Sequence, residues 1–310
     1  MRNMKKLSCI KSLFIALLVL MSMASAGQKY AFEYKLSKGD TFKRQMSTDM
    51  WITQSSGSET LEIISITVMD LQYNVTDVSA DLYTIEAKFE NIKTEMDFGF
   101  DKMIFDSNTE EEIATIENMS PIFKAMTGIP FEMTINKQGV VQSIKGFENM
   151  RKIINNSIGS GIEEELRVQM IRQIEEQFSE EALTNMFNQT AAYMPQTQVG
   201  VGDTWETEVS IQNALDMSTI TKNSLKEVKN NTAYIECFGE ISVSSVVQHV
   251  EGMDAKISME GSNSGNVSID LATGMPVDFS MAQEIIGETE IMNMKIPQKI
   301  VIKTTIRAIK

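Results

Sequence analysis

The chain has 310 residues, of which 42% are hydrophobic, and it carries a net charge of −14. Nucleic-acid binding is disfavoured, because so acidic a chain has few cations to spare for neutralising phosphates. The hydrophobic content excludes a disordered chain and is sufficient for a substantial core.

The N-terminal segment is typical of a cleavable export signal. A basic start precedes an apolar run at 13–23, which is too short to cross a membrane, and Ala-Ser-Ala at 24–26 matches a signal-peptidase site. We predict that residues 1–26 are removed and that the mature chain is periplasmic or extracellular. It is not expected to be a lipoprotein, because Cys9 precedes the apolar run. No later stretch predicts a transmembrane segment.

The first part of the mature chain, 27–146, has the pattern of antiparallel strands. Tyr83, Ile85, Ala87 and Phe89 alternate with polar residues, which is typical of a half-buried strand. We predict a β-rich half here. A short helix is expected to start with Ser120 as its N-cap and to stop at Gly128.

The middle of the chain, 147–195, is predicted to be a helical connection. Its apolar residues fall four apart, as on one face of a helix, at Leu166, Met170, Ile174 and Phe178. A second helix is predicted to begin after Ser179, a favoured N-cap, and to end before Pro195.

The last part, 196–310, returns to strand patterns. Apolar residues alternate with others at Met275, Val277, Phe279 and Met281. The final strand carries a basic row at Lys295, Lys299, Lys303 and Arg307. We interpret it as an edge strand whose lysines prevent aggregation, and contact with anionic lipid or an acidic partner is the alternative.

A Gly-Asp-Thr-aromatic motif occurs twice, at Gly39 and Asp40 and again at Gly202 and Asp203. Glycine suits a tight turn and aspartate bonds to nearby backbone amides, so we predict two structural turns rather than a catalytic aspartate pair. Two further landmarks follow each motif in the same order. We therefore predict that 27–146 and 196–310 are related by duplication.

The residues needed for common catalytic and metal sites are scarce. His249 is the single histidine, and Cys237 is the single cysteine once the leader is removed. A histidine-rich metal site is thereby excluded, and we predict that His249 is structural or exposed to solvent rather than part of a nucleophilic triad. We predict no catalytic residues, no cofactor and no metal, and we expect Cys237 to be a buried small hydrophobe. Carboxylates are abundant, so a carboxylate-dependent hydrolase remains an alternative.

Methionine is the one compositional excess, with 23 residues. Flexible thioether side chains suit either a core or a cavity that adapts to apolar ligands. The residues we predict to line an apolar groove are Met170, Ile174, Phe178, Met186, Met275, Phe279, Met281, Met292 and Met294.

Five segments together carry a family resemblance: the leader, "YKLSKGDTFK", "FEMTINKQGVVQSIKG", "VGVGDTWE" and "SIDLATGMPVDF". The chain resembles an uncharacterised family of secreted Gram-negative envelope proteins, which brings no catalytic residues to carry over. More distantly, the expected fold is similar to half-barrel carriers of lipoproteins or lipids. The resemblance implies a mainly β (α+β) protein with curved antiparallel sheets or an open half-barrel and helices packed against it.

The expected function is therefore that of an exported, non-catalytic envelope protein that binds a lipid-like, acylated or peptide ligand in an apolar groove. The first alternative is a structural module that contacts another envelope protein and has no small-molecule site. The second alternative is the carboxylate-dependent hydrolase.

Overall fold

The computed structural model describes residues 27–56, 59–115, 117–159, 162–212, 216–250, 253–292 and 294–309. The predicted export signal lies outside the described residues. None of the helices in the described ranges has the length and apolar character needed to cross a bilayer.

Strands dominate the described part of the chain, and the helices fall mainly between two groups of strands. The strands are β1 (Lys29–Tyr30), β2 (Thr41–Ser56), β3 (Glu59–Val78), β4 (Leu82–Asp97), β5 (Lys102–Asp106), β6 (Phe131–Asn136), β7 (Val141–Lys145), β8 (Val199–Gly200), β9 (Thr204–Gln212), β10 (Asp216–Lys229), β11 (Thr232–Val250), β12 (Met253–Asp270), β13 (Pro276–Ile291) and β14 (Met294–Ile309). The helices are α1 (Ser120–Met126), α2 (Phe147–Ser157), α3 (Glu164–Gln177) and α4 (Glu180–Ala191).

One large antiparallel sheet contains every strand except β1 and β8, which pair with each other. Its order is β7-β6-β4-β3-β2-β14-β13-β12-β11-β10-β9, and β5 pairs beside this path with β4. The sheet does not close into a barrel, because β7 and β9 are its two end strands. This arrangement confirms the predicted fold class of a mainly β protein with an open antiparallel sheet and packed helices.

Strand β14 lies between β2 and β13, so the prediction of an edge strand is wrong. Its basic side chains compensate acidic side chains on the neighbouring strand instead. Lys295, Lys299 and Arg307 form ion pairs with Glu288, Glu284 and Asp278 of β13. The remaining member of the row, Lys303, lies 5.0 Å from the centre of the Trp51 ring on β2.

The larger hydrophobic core lies between β3, β4, β6 and β7 on one side and the helices on the other. The strands contribute alternate residues such as Ile85 and Phe89, which are fully buried. Helix α2 adds Phe147, Met150 and Ile154, which share one helical face. Helix α2 lies at the start of the predicted helical connection and was not predicted as a separate helix.

A second, smaller core lies on the other half of the sheet and includes Phe32, Leu225 and Ile235. The segment before β2 connects the two cores. The Tyr34 N–H donates to the Lys137 carbonyl in the β6–β7 turn at 2.7 Å, and the Lys35 N–H donates to the Thr273 carbonyl in the β12–β13 turn at 2.8 Å.

Helix α4 and the residues after it connect the two end strands of the sheet. The Asn188 side chain accepts a hydrogen bond from the Val141 N–H of β7 at 2.8 Å. On the other side, the Trp205 indole of β9 donates to the Tyr193 carbonyl at 3.0 Å. A single helix contacts both end strands because the sheet curves around it.

Two local predictions need correction. Val277 is 46% exposed, unlike Met275 and Phe279, because the pairing of β13 with β12 is irregular at this position and interrupts the alternation. Helix α1 begins at Ser120 with Met119 as its N-cap, and the Ser120 hydroxyl accepts from the Asp106 N–H at 3.0 Å instead of capping the helix.

Candidate functional site

The two Gly-Asp-Thr motifs form tight turns with the same hydrogen bonds. Gly39 and Gly202 both have a φ of 93°, a conformation that glycine adopts without strain. The Asp40 carboxylate accepts from the Ser37 N–H at 2.7 Å, and the Asp203 carboxylate accepts from the Gly200 N–H at 2.8 Å. Each carboxylate is therefore engaged by the backbone of its own turn.

The predicted groove residues are distributed over several environments. Met186, Phe279 and Met281 line a cavity that we call the main cavity. Met275 lines a smaller second cavity. Met170, Ile174 and Phe178 belong to the larger hydrophobic core or pack against it.

The last two predicted groove residues lie away from both cavities. Met292 and Met294 flank the turn between β13 and β14 and are 68% and 63% exposed. The periodicity of an isolated strand indicates which face a residue takes, but it does not indicate that the strand extends past the covered part of the sheet.

The main cavity has a volume of about 390 Å³ and lies between α4 and the concave face of the sheet. This volume is within the range of about 300–1,000 Å³ that is usual for small-ligand sites. Strands β2, β9, β10, β12, β13 and β14 all contribute to its wall. Its apolar side chains include Met46, Met186, Met217, Phe279, Met281 and Ile302.

A polar network forms another part of the main-cavity wall. The Asn223 amide donates to the Thr207 hydroxyl at 3.0 Å and to the Thr221 carbonyl at 3.3 Å. The Asn263 amide donates to the Thr221 hydroxyl at 2.9 Å. These bonds orient both amides, and each amide nitrogen already donates to an acceptor within the protein.

Two buried oxygen atoms of main-cavity residues, the Oδ1 atoms of Asn223 and Asn263, have no hydrogen-bond partner among the described residues. A buried polar atom without a partner costs free energy, and such atoms are uncommon in folded proteins.

The second cavity, of about 90 Å³, adjoins the main cavity, since Met46 and Thr190 line both. Most of its walls are apolar, and Arg44, Tyr34 and Tyr73 are their main polar side chains. Burial raises the pKa of Tyr34 and Tyr73, so both phenols are protonated at neutral pH.

Neither cavity is lined by a described Asp, Glu, His or Cys residue. In the described ranges, no three such residues come together in a group suited to a metal ion. Cys237 is fully buried in the smaller core, as predicted, and burial raises the pKa of its thiol to about 12. The side chain of His249 on β11 lies outside the described part of the structure.

The predicted site residues did not include Arg44, Thr221, Asn223 and Asn263. A signal for two of them is present in β10, where the inward positions run Met217, Thr219, Thr221, Asn223 and Leu225. Polar residues at inward positions of a strand indicate a polar network or a site. Arg44 has the same kind of signal, because it shares a strand face with Phe42 and Met46.

Comparison with known proteins gives one family match. The model of DUF6263, a family of unknown function, matches residues 80–276. No curated protein matches the chain.

Two solved structures show weak likeness to this chain. A structure of lipovitellin, described by its lipid–protein interactions, is 7% identical with a TM-score of 0.48, covering 89% of this chain and 26% of the lipovitellin chain. Pseudomonas aeruginosa OccK8 (OprE) is 6% identical with a TM-score of 0.19, covering 88% of this chain and 100% of its own. Likeness at this level carries no argument about function.

Proposed function

We propose that this chain, which belongs to DUF6263, a family of unknown function, binds a lipid-like ligand in the main cavity. We further propose that it is exported through its leader to the cell envelope and acts there without catalysis. Membership confirms the predicted resemblance to an uncharacterised family.

Fractionating cells that express the chain with and without residues 1–26 tests export. Equal retention of both forms in the cytoplasm would contradict export.

The observation that supports binding is the main cavity itself. It combines a volume of about 390 Å³ with a wall of methionine, phenylalanine and isoleucine side chains. Protein interiors are normally close-packed, so a space of this size is unusual in a core that serves stability alone. Methionine side chains adapt their shape, which suits acyl chains that bend differently from one ligand to the next.

The polar side chains in the wall of the main cavity give the ligand a second property. Apolar walls alone would accept any hydrocarbon, but Gln189, Gln283 and Thr304 favour a ligand that also forms hydrogen bonds. An acyl chain attached to a hydroxyl or amide group has both properties. The absence of described acidic, histidine or cysteine side chains from the cavity walls supports binding rather than hydrolysis.

Native mass spectrometry of the exported chain, purified without detergent or denaturant, tests the proposal. We expect a bound species that organic extraction releases and identifies as a lipid or an acylated molecule. Protein at its bare mass would contradict the proposal, and a bound unmodified peptide would favour the peptide alternative.

A matched pair of variants locates the ligand. Met186→Trp places a larger side chain at the main cavity, whereas Met294→Trp makes the same change at a position that is 63% exposed. We expect the first variant to lose the bound species and the second to keep it. Equal retention by both folded variants would show that the ligand lies elsewhere.

A further inference from the structure

Arg44 places a positive charge beside two cavities that are otherwise uncharged. It lies on β2 and shares a face with Met46, which lines both cavities. No other charged side chain of the described residues lines either cavity. The chain as a whole carries a net charge of −14, so the lack of a carboxylate at this point is a local feature.

The guanidinium of Arg44 has few partners. One nitrogen, Nη1, lies 3.5 Å from the Lys43 carbonyl, at the limit of hydrogen bonding, and the group lies 5.6 Å from the centre of the Phe42 ring. Its cross-strand neighbours are Leu71 and Ala308. A guanidinium has five N–H donors, and most of those of Arg44 have no partner among the described residues, which costs free energy to the extent that the site is shielded from water.

The surrounding phenols do not compensate the charge. Burial raises the pKa of Tyr34, Tyr73 and Tyr193, so these groups are neutral at neutral pH. Burial also lowers the pKa of Arg44, which is the direction expected when desolvation outweighs the attraction of nearby charges.

We propose that Arg44 binds the anionic headgroup of an acyl ligand, a carboxylate or a phosphate, while the acyl chain passes Met46 into the main cavity. The inference rests on the proposed function, because it assigns a headgroup to the ligand of that cavity. Both anions match the planar fork of arginine and accept two parallel hydrogen bonds from it. The bound anion supplies the counter-charge that the protein lacks at this point.

Calorimetric titration with dodecanoate, dodecyl phosphate and 1-dodecanol tests the headgroup. We compare the wild type with Arg44→Met and with a control, Arg307→Met. The control removes the same charge from an exposed side chain of β14 on the face of the sheet opposite to Arg44. Arg44→Met is expected to weaken binding of at least one of the two anions by about tenfold or more and to leave dodecanol unchanged. Arg307→Met is expected to behave as the wild type.

The outcomes separate this inference from the proposed function. If all three probes bind and Arg44→Met weakens none of them, or weakens dodecanol equally, the headgroup assignment is wrong while the cavity proposal stands. If the wild type binds none of the probes, both are wrong. Preference for one anion over the other identifies the headgroup as carboxylate or phosphate.

Thermal unfolding of the ligand-free protein distinguishes a binding residue from a structural one. If Arg44 is an uncompensated cation, Arg44→Met raises the melting temperature, since an apolar side chain of similar length fits the apolar neighbours better. The same variant loses the stabilisation that the anionic probe gives to the wild type. A lower melting temperature in the ligand-free variant would show that Arg44 serves the fold, and would overturn the inference.

Discussion

Gly274 shows how closely the segment before β2 packs on the β12–β13 turn. It has a φ of 72°, and a Cβ at this position would lie 1.8 Å from the Glu33 carbonyl oxygen. Gly39 has a φ of 93°, but a Cβ there would meet nothing within 4 Å. The two glycines therefore differ in packing and share the left-handed backbone.

Alanine substitutions at these glycines measure that difference. Gly39→Ala is expected to lower the free energy of unfolding by about 1 kcal/mol, the cost of a left-handed non-glycine residue. Gly274→Ala adds displacement of the Glu33 backbone and is expected to cost about 1–3 kcal/mol more. Urea denaturation of both variants checks this, and equal losses would show that the segment does not pack on the turn as described.

The buried thiol of Cys237 is expected to make the free energy of unfolding depend on pH in the alkaline range. Burial raises its pKa from 9.0 to about 12. The unfolded thiol therefore loses its proton first as the pH rises above 9, and the free energy of unfolding falls between the two values, by at most about 1.4 kcal/mol per pH unit. Comparing denaturation of the wild type and Cys237→Ala at several pH values isolates this contribution. Parallel pH profiles would contradict the assignment.

At the scale of elements, α4 is the helix that covers the main cavity and contacts both end strands. Its N-cap is Ser179, whose hydroxyl accepts from the Ala182 N–H at 3.0 Å.

Ser179→Ala is expected to lower the free energy of unfolding by about 1 kcal/mol, because the N-cap hydrogen bond is lost. Hydrogen exchange is expected to quicken in α4 more than in β12 and β13. Uniform acceleration throughout the protein would show that α4 does not open separately from the sheet.

The strands of both halves lie in the same direction of chain order across the sheet. The order across the sheet is β7, β6, β4, β3 and β2 for the first half, followed by β14, β13, β12, β11, β10 and β9 for the second half. The second strand after each Gly-Asp-Thr turn also has an irregularity, which lies between Val75 and Asp77 in β3 and between Leu225 and Glu227 in β10. In both cases the N–H of the turn glycine donates to the carbonyl of the residue before the irregularity, at 2.8 Å.

We propose that 27–146 and 196–310 are tandem copies joined by the helical connection 147–195. The repeated turns and irregularities support this proposal, because neither is required by strand pairing alone. An experimental structure tests it by superposition of β2–β4 on β9–β11. Failure of these hairpins to superpose would contradict a common origin.

At the scale of the whole molecule, the sequence was sufficient for the fold class and for several helix and strand assignments. Alternation and helical spacing are local properties, so β4 and the start of α4 at Ser179 could be recognised from a few residues each. The position of β14 in the sheet could not be recognised in this way, because strand order depends on contacts between segments far apart in the chain. The same limit explains why an isolated basic row suggested an edge strand.

The site was less predictable than the fold for the same reason. Methionine-rich strands indicated apolar surface, and three of the predicted residues do line the main cavity. The residues that give the cavity its chemical character, Arg44, Asn223 and Asn263, come from separate strands and meet around the cavities only when the sheet curves. Strand periodicity can show that a polar side chain faces inward, but it cannot show which distant residues surround it.

The central claim is that the main cavity holds a lipid-like ligand. The most direct test is a crystal structure of the exported protein, purified without denaturation and at a resolution that shows ordered water. We expect continuous, elongated electron density beside Met46, Met186 and Met281, with one polar group within hydrogen-bond distance of a polar side chain in the cavity wall. A cavity that contains only water, or that has closed by packing of α4 onto the sheet, would contradict the claim.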